Sequence, residues 1–222
     1  MGKVIYGQYV SGKYPLKKFY LTDLPRKIGD VLYKLGQMES VAFRGGLAFI
    51  FLTNANNYLL KDLDMLALDS EKESILDVLT AADIVFVNKN TFGDTVLTAF
   101  WQENEEYFKL DILLCSELPG ICEKVVVGKK MNVVSASYIW RNKIEKIAEK
   151  EIRGHDDRKT LNHYRVASKM SKYLLRNKEE ILTADTEIAN SKLSATEKIL
   201  SGLISEKDLE IFLQLQMDLI RG

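Results

Sequence analysis

Two aspartates stand one residue apart in "KDLDMLAL", residues 61–68. In an extended strand, residues i and i+2 face the same side, about 6.6 Å apart along the chain. Asp62 and Asp64 then share one face, while Leu63 and Met65 point into the core. Two carboxylates so close repel each other, and a cation relieves the repulsion. A hard divalent ion is the natural partner, since Mg²⁺ binds through one or two carboxylates plus phosphate oxygens. The alternative is a half-exposed strand whose acids are merely solvated. A third carboxylate, Asp111, sits mid-strand in "YFKLDILLC", on the face of Lys109 and Leu113. A charge inside such a strand needs a partner. If this strand lies beside that of Asp62 and Asp64, the three acids form one cluster. Upstream, in "FRGGLAF", Gly45 and Gly46 end a strand and open a helix. Glycines there let the backbone approach a phosphate, and the helix N-terminus offers free N–H groups. A tight turn would also use a Gly-Gly pair.

These residues need elements to hold them. "TDLPRKIGDVLYKLGQM" predicts a helix over about 23–37, capped by Thr22 or Asp23, with Ile28, Val31, Leu32 and Leu35 on its apolar face. Residues 1–20 read as an irregular, aromatic and basic lead-in. The middle, about 40–128, is strand-rich. "VAFRG" is a strand, "GLAFIFLTNA" a helix and "YLLKDLDMLAL" a strand, and "SEKESILDVLTAA" is a helix capped by its serine. "DIVFVNK" and "DTVLTAFWQ" form a hairpin through "NKNTFGD"; "YFKLDILLC" follows, and "EKVVVG" is the last, short strand. From about 133 the apolar period becomes helical. "SASYIWRNKIEKIAEKEI", capped by Ser135 or Ser137, is a helix that includes Ile152. "DRKTLNHYRVASKMSKYLLRN", "KEEILTADTEIAN", "SATEKILSGLI" and "SEKDLEIFLQLQMDLIRG" continue a bundle of four or five helices. The expected fold class is α+β: a small mixed β-sheet core with flanking helices over 1–130, then a helical domain over 131–222.

Composition excludes some classes of function. Formal net charge is zero, and hydrophobic residues make up 46% of the chain, so a real core forms and overall charge favours neither nucleic acid nor membrane. Residues 129–178 nevertheless carry 14 Lys and Arg against 5 Asp and Glu. That excess is either a set of solvated helical faces or a surface that meets phosphate or RNA. Cys115 and Cys122 lack metal-ligand spacing and read as reduced thiols, Cys115 as a buried one. No apolar run is long enough to span a bilayer, and the first 20 residues lack the apolar core of a secretion signal. A cytoplasmic protein is expected. His155 and His163 read as surface histidines on a helix, with a metal pair as the alternative. Trp101 and Trp140 read as core or interface residues, although either could stack on a base.

The order strand, Gly-Gly, helix, Asp-x-Asp strand, later strand with one Asp resembles the nucleotidyltransferase superfamily with the polymerase-beta-like fold. The nearest branch is the AbiEii-type toxin nucleotidyltransferases, which carry Lys-Gly-Gly-Thr-Ala-Leu and then Arg-x-Ser/Thr-x-Asp-Ile/Leu-Asp-Leu. Here Arg44, Gly45, Gly46 and Ala48 follow the first pattern, and Asp62, Leu63 and Asp64 follow the second. Leu47 replaces the small hydroxyl residue, Tyr58 the arginine and Leu60 the Ser/Thr. The resemblance continues into "NKIEKIAEKEIRGHDDRKTLNHY", where Lys143 matches the family lysine and Asp156, Asp157 and Asn162 compete for the acidic positions. It implies two Mg²⁺ ions held by Asp62, Asp64 and Asp111 with a nucleoside triphosphate (NTP). Asp111 would sit by the attacking hydroxyl, while Arg44, Gly45, Gly46 and Lys143 bind the nucleotide. The implied activity is transfer of a nucleoside monophosphate to an acceptor hydroxyl on RNA, such as a tRNA 3′ end, or on protein. The implied setting is the toxin half of a toxin–antitoxin or phage-defence pair, with an antitoxin protein as partner. The alternative is a relative of weakened catalysis that binds a nucleotide or a partner.

Overall fold

The structure, a computed structural model, describes residues 3–10, 12–90, 92–126, 128–179 and 181–221, with the backbone alone over 122–126. Contacts divide the chain into two compact units, residues 1–134 and 135–222.

The first unit is built on one mixed sheet of eight strands: β1 (Lys3–Tyr6), β2 (Val41–Arg44), β3 (Leu63–Leu68), β4 (Ile84–Lys89), β5 (Thr95–Glu103), β6 (Glu106–Cys115), β7 (Ile121–Val126) and β8 (Lys129–Val134). Their order is β1-β4-β5-β6-β3-β2-β8-β7. Three pairs are parallel, β1 with β4, β2 with β8 and β3 with β6. The remaining neighbours are antiparallel, including the predicted β4–β5 hairpin. Three helices flank the sheet: α1 (Arg26–Gly36), α2 (Gly45–Thr53) and α3 (Lys72–Leu79). One sheet face is the core. Phe43, Met65, Ile112 and Leu97 are register partners across β2, β3, β6 and β5, and all four are buried. α1 packs on that face. Its Ile28, Val31, Leu32 and Leu35 are buried as predicted, and Gly36 sits so near Phe43 and Met131 that a Cβ would meet them at 2.9–3.1 Å.

Several local expectations fail. Thr22 and Asp23 do not cap α1, because Leu21–Asp23 forms a 3-10 turn and Pro25 takes the N-cap position. Ser70 likewise lies inside the 3-10 turn Asp69–Glu71 that leads into α3. The lead-in is ordered by the sheet: β1 pairs with β4, Leu16 bridges to Tyr107, and Phe19 bridges to Leu60. β8 (Lys129–Val134) overlaps the expected beginning of the helical domain at about 131–133. It is a strand because it completes a hairpin with β7 and pairs with β2 through Phe43 and Val133.

The second unit holds four helices among the described residues: α4 (Ala136–Ala148), α5 (Asp157–Asn177), α6 (Thr183–Leu200) and α7 (Glu206–Arg221). Ser135 caps α4 by accepting from the Tyr138 N–H, at 3.0 Å. α4 ends at Ala148, so Ile152 lies beyond it and is exposed. The two predicted segments around Asn190 merge into α6. Trp140 is fully buried, and its indole N–H donates to Gln216 Oε1 at 2.6 Å. Trp101, in the sheet unit, is also buried and donates to the Ala81 carbonyl. Both tryptophans are core residues.

Candidate active site

The face opposite the core carries a row of polar residues set by strand register. Arg44 on β2 is the partner of Asp64 on β3, Asp64 of Asp111 on β6, and Asp111 of Thr98 on β5. Register partners point to one side of a sheet. Asp64 and Asp111 are therefore neighbours, on parallel strands that the sequence left unpaired. Asp62 lies just before β3 begins, outside the ladder. It is close enough to Lys109 to favour the charged ammonium.

β2 runs straight into α2 at Gly45, whose φ of +61° is open to glycine at little cost. A Cβ on Gly45 would lie 2.2 Å from Asp64 Oδ2, so the aspartate leans against bare backbone. A Cβ on Gly46 would meet Leu60 at 2.4 Å. The two glycines thus do different work, one admitting the carboxylate and the other admitting the core. Leu47 and Leu60 are buried, and Tyr58 packs its ring on Phe49 at 5.0 Å. The three positions that depart from the family pattern serve packing. Arg44, at the N-cap of α2, makes no side-chain capping hydrogen bond.

Asp111 has two partners that motif reading did not assign. Lys109 Nζ stands 2.5 Å from its Oδ2, and the Thr98 hydroxyl donates to its Oδ1 at 2.8 Å. Thr98 is steered in turn by Asn88, whose side-chain amide donates to it at 3.1 Å. Lys109 is only 8% exposed, and its ammonium lies 5.5 Å from the Tyr9 ring centre. Burial works against the Lys109 charge, but the Asp111 carboxylate outweighs it and holds the ammonium above its usual range. Burial pushes the Asp111 carboxyl up, and Lys109 pulls against that shift. The signal for Lys109 was in the sequence: its two-residue spacing from Asp111 puts both on one face, and the charge that needed a partner has one in its own strand.

An aromatic cluster from the lead-in closes one end of this face. Tyr9 and Tyr14 pack on Phe86 and Phe100, with ring centres 4.6–5.9 Å apart. A separate cleft of about 410 Å³ is lined by Asp69, Lys89, Asp94, Thr95 and Cys115 among others, and by none of the predicted site residues. Cys115 is half-buried, its thiol pushed up by burial and bonded to the Ala67 carbonyl at 3.3 Å. The Cys122 side chain lies outside the described residues.

In the helical unit, Lys143 is on α4 and acts on His163 of α5. His163 is not a surface residue: it is 6% exposed, and neither ring nitrogen has a hydrogen-bond partner. Its ring lies 5.0 Å from that of His155. Burial, then the charges of Lys143 and Lys146, lowers its pKa to about 2. Burial and Lys159 lower that of His155 to about 4. Among the described residues, no group of three or more His, Cys, Asp or Glu is arranged to hold a metal ion, and no helix is long and apolar enough to cross a membrane.

No protein-family model matches the chain, and no curated protein does. Solved structures do. The crystal structure of an antigenic nucleotidyltransferase-like protein from Paracoccidioides brasiliensis superposes with a TM-score of 0.55 at 14% identity, covering 90% of this chain and 95% of that one. JHP933 from Helicobacter pylori and the antibiotic-resistance factor ANT(2'')-Ia both reach a TM-score of 0.46, at 15% and 14% identity. They cover 88% and 80% of this chain, and 89% and 93% of their own. The first defines the class: this chain has the α+β fold of a nucleotidyltransferase-like protein.

Proposed function

We propose that the protein is a nucleotidyltransferase of the AbiEii kind that moves a nucleoside monophosphate from an NTP to an acceptor hydroxyl. One observation carries the reading: strand register sets Asp64 beside Asp111, while Gly45 presses against Asp64 at the mouth of α2. The acceptor oxygen forms a bond to the α-phosphorus, the bond from that phosphorus to the bridging oxygen breaks, and pyrophosphate leaves. Asp111 takes the hydroxyl proton. The N–H groups at the start of α2 receive phosphate oxygens, with Arg44 adding positive charge. For Lys143, contact with the triphosphate rests on the family resemblance. Asp62 and Asp64 suit one hard divalent ion, which supplies positive charge to the phosphate oxygens when bound. The proposed acceptor is RNA, with a tRNA 3′ end the first to try, and the proposed setting is a cytoplasmic toxin restrained by an antitoxin.

Incubation of the folded chain with Mg²⁺, each labelled NTP and total RNA should label a product. Asp64→Ala should cut labelling by about 10²–10³-fold, the scale for losing a group that stabilises transition-state charge. Nucleotide binding without transfer to RNA or protein would overturn the reading.

A further inference from the structure

Resting on that reading, we infer that Lys109 takes the place of one of the two metal ions, so that the site works with a single divalent ion and a built-in ammonium. Both oxygens of Asp111 are already engaged, Oδ2 by the Lys109 ammonium and Oδ1 by the Thr98 hydroxyl. Thr98 is itself fixed by Asn88, which holds the carboxylate in place. An ammonium 2.5 Å from a carboxylate oxygen occupies the position a metal ion would need, and its charge repels a second cation.

Lys109 is built in rather than passing through. Its side chain is 10% exposed, and burying an ammonium is costly unless anionic or aromatic groups surround it. Asp111 supplies the contact, Asp62 adds attraction from the approach to β3, and Tyr9 offers its ring face. Among the described residues, no three acids are arranged to share an ion. The ammonium then stands beside the acceptor hydroxyl, where it stabilises the oxygen as its proton leaves for Asp111.

The ion count tests this directly. Mn²⁺ bound to the full chain is counted by electron paramagnetic resonance, with a non-hydrolysable analogue of each NTP in turn. Wild type should bind one Mn²⁺ per chain with the nucleotide it accepts, Lys109→Met two, and Lys109→Arg one. Asp111→Asn should keep the single ion. Two ions in wild type, one in a folded Lys109→Met, or loss of the ion in Asp111→Asn would each overturn the inference and leave the transferase reading standing. The wild-type count decides even if Lys109→Met fails to fold. No Mn²⁺-nucleotide on wild type with any analogue would bring down both.

Discussion

Half-buried Asp111 in the sheet and buried His163 in the helical unit meet the loss of solvent in opposite ways. Asp111 has a cation on one oxygen and a hydroxyl on the other. His163 has no hydrogen bond on either nitrogen and faces the charges of Lys143 and Lys146. The helical unit can satisfy a buried acid: Asp185 accepts from Ser137 at 2.6 Å and from Arg141 at 3.1 Å. The contrast therefore does not come from helices as such. Strand register supplies partners two residues away or directly across the ladder. Helix packing supplies them only where a suitable side chain lies opposite.

The comparison can be broken first at its tightest contact. Gly45→Ala forces a side chain into a left-handed position and onto Asp64, so it should cost about 3 kcal/mol of stability and abolish transfer, read by denaturant unfolding and by labelling. Asp185→Leu removes the anion that Arg141 and Ser137 share and should cost about 3 kcal/mol in the same unfolding assay. His163 provides the contrary case. The unfolded chain binds a proton on it near pH 6.5 and the folded chain only near pH 2, so the unfolded state holds more protons in between. Stability contributed by the neutral ring is full above pH 6.5 and drains as the pH falls, by roughly 2 kcal/mol between pH 6.5 and 5. His163→Leu should flatten that slope in unfolding measured at several pH values, with no loss at pH 7.5. A slope unchanged by the substitution would place the acid sensitivity elsewhere. Thr98→Val should have the smallest effect, about 1 kcal/mol for the hydrogen bond to Asp111, seen as a small fall in melting temperature.

Much of this was legible because it repeats along the chain. The apolar stripe of α1 and the span of α5 follow from helical period alone, and the β4–β5 hairpin from its turn residues. The face of Asp64 on its strand and that of Asp111 on its own were legible, but only the order of strands makes the two neighbours, and order is a tertiary fact. β1 was hidden because it is short and becomes a strand by pairing with β4, far away in sequence, and β8 because only its hairpin with β7 and its pairing with β2 make it a strand. The caps at Ser70 and Asp23 misled because 3-10 turns took those residues first. Lys109 was seen as a neighbour of Asp111 and not as its counter-ion, since spacing fixes the face a side chain shares and not the atom it reaches.

The lead-in over the acidic face has a kinetic consequence. Tyr9, Tyr14, Leu16 and Phe19 are synthesised well before Phe86, Phe100 and Tyr107, the residues that seat most of them. Closing those contacts spans roughly seventy to ninety residues, which slows folding through the entropy of the loop. A segment made before its seat therefore settles late: the Tyr9 ring beside Lys109 needs β4, β5 and β6 beneath it before it can reach its place.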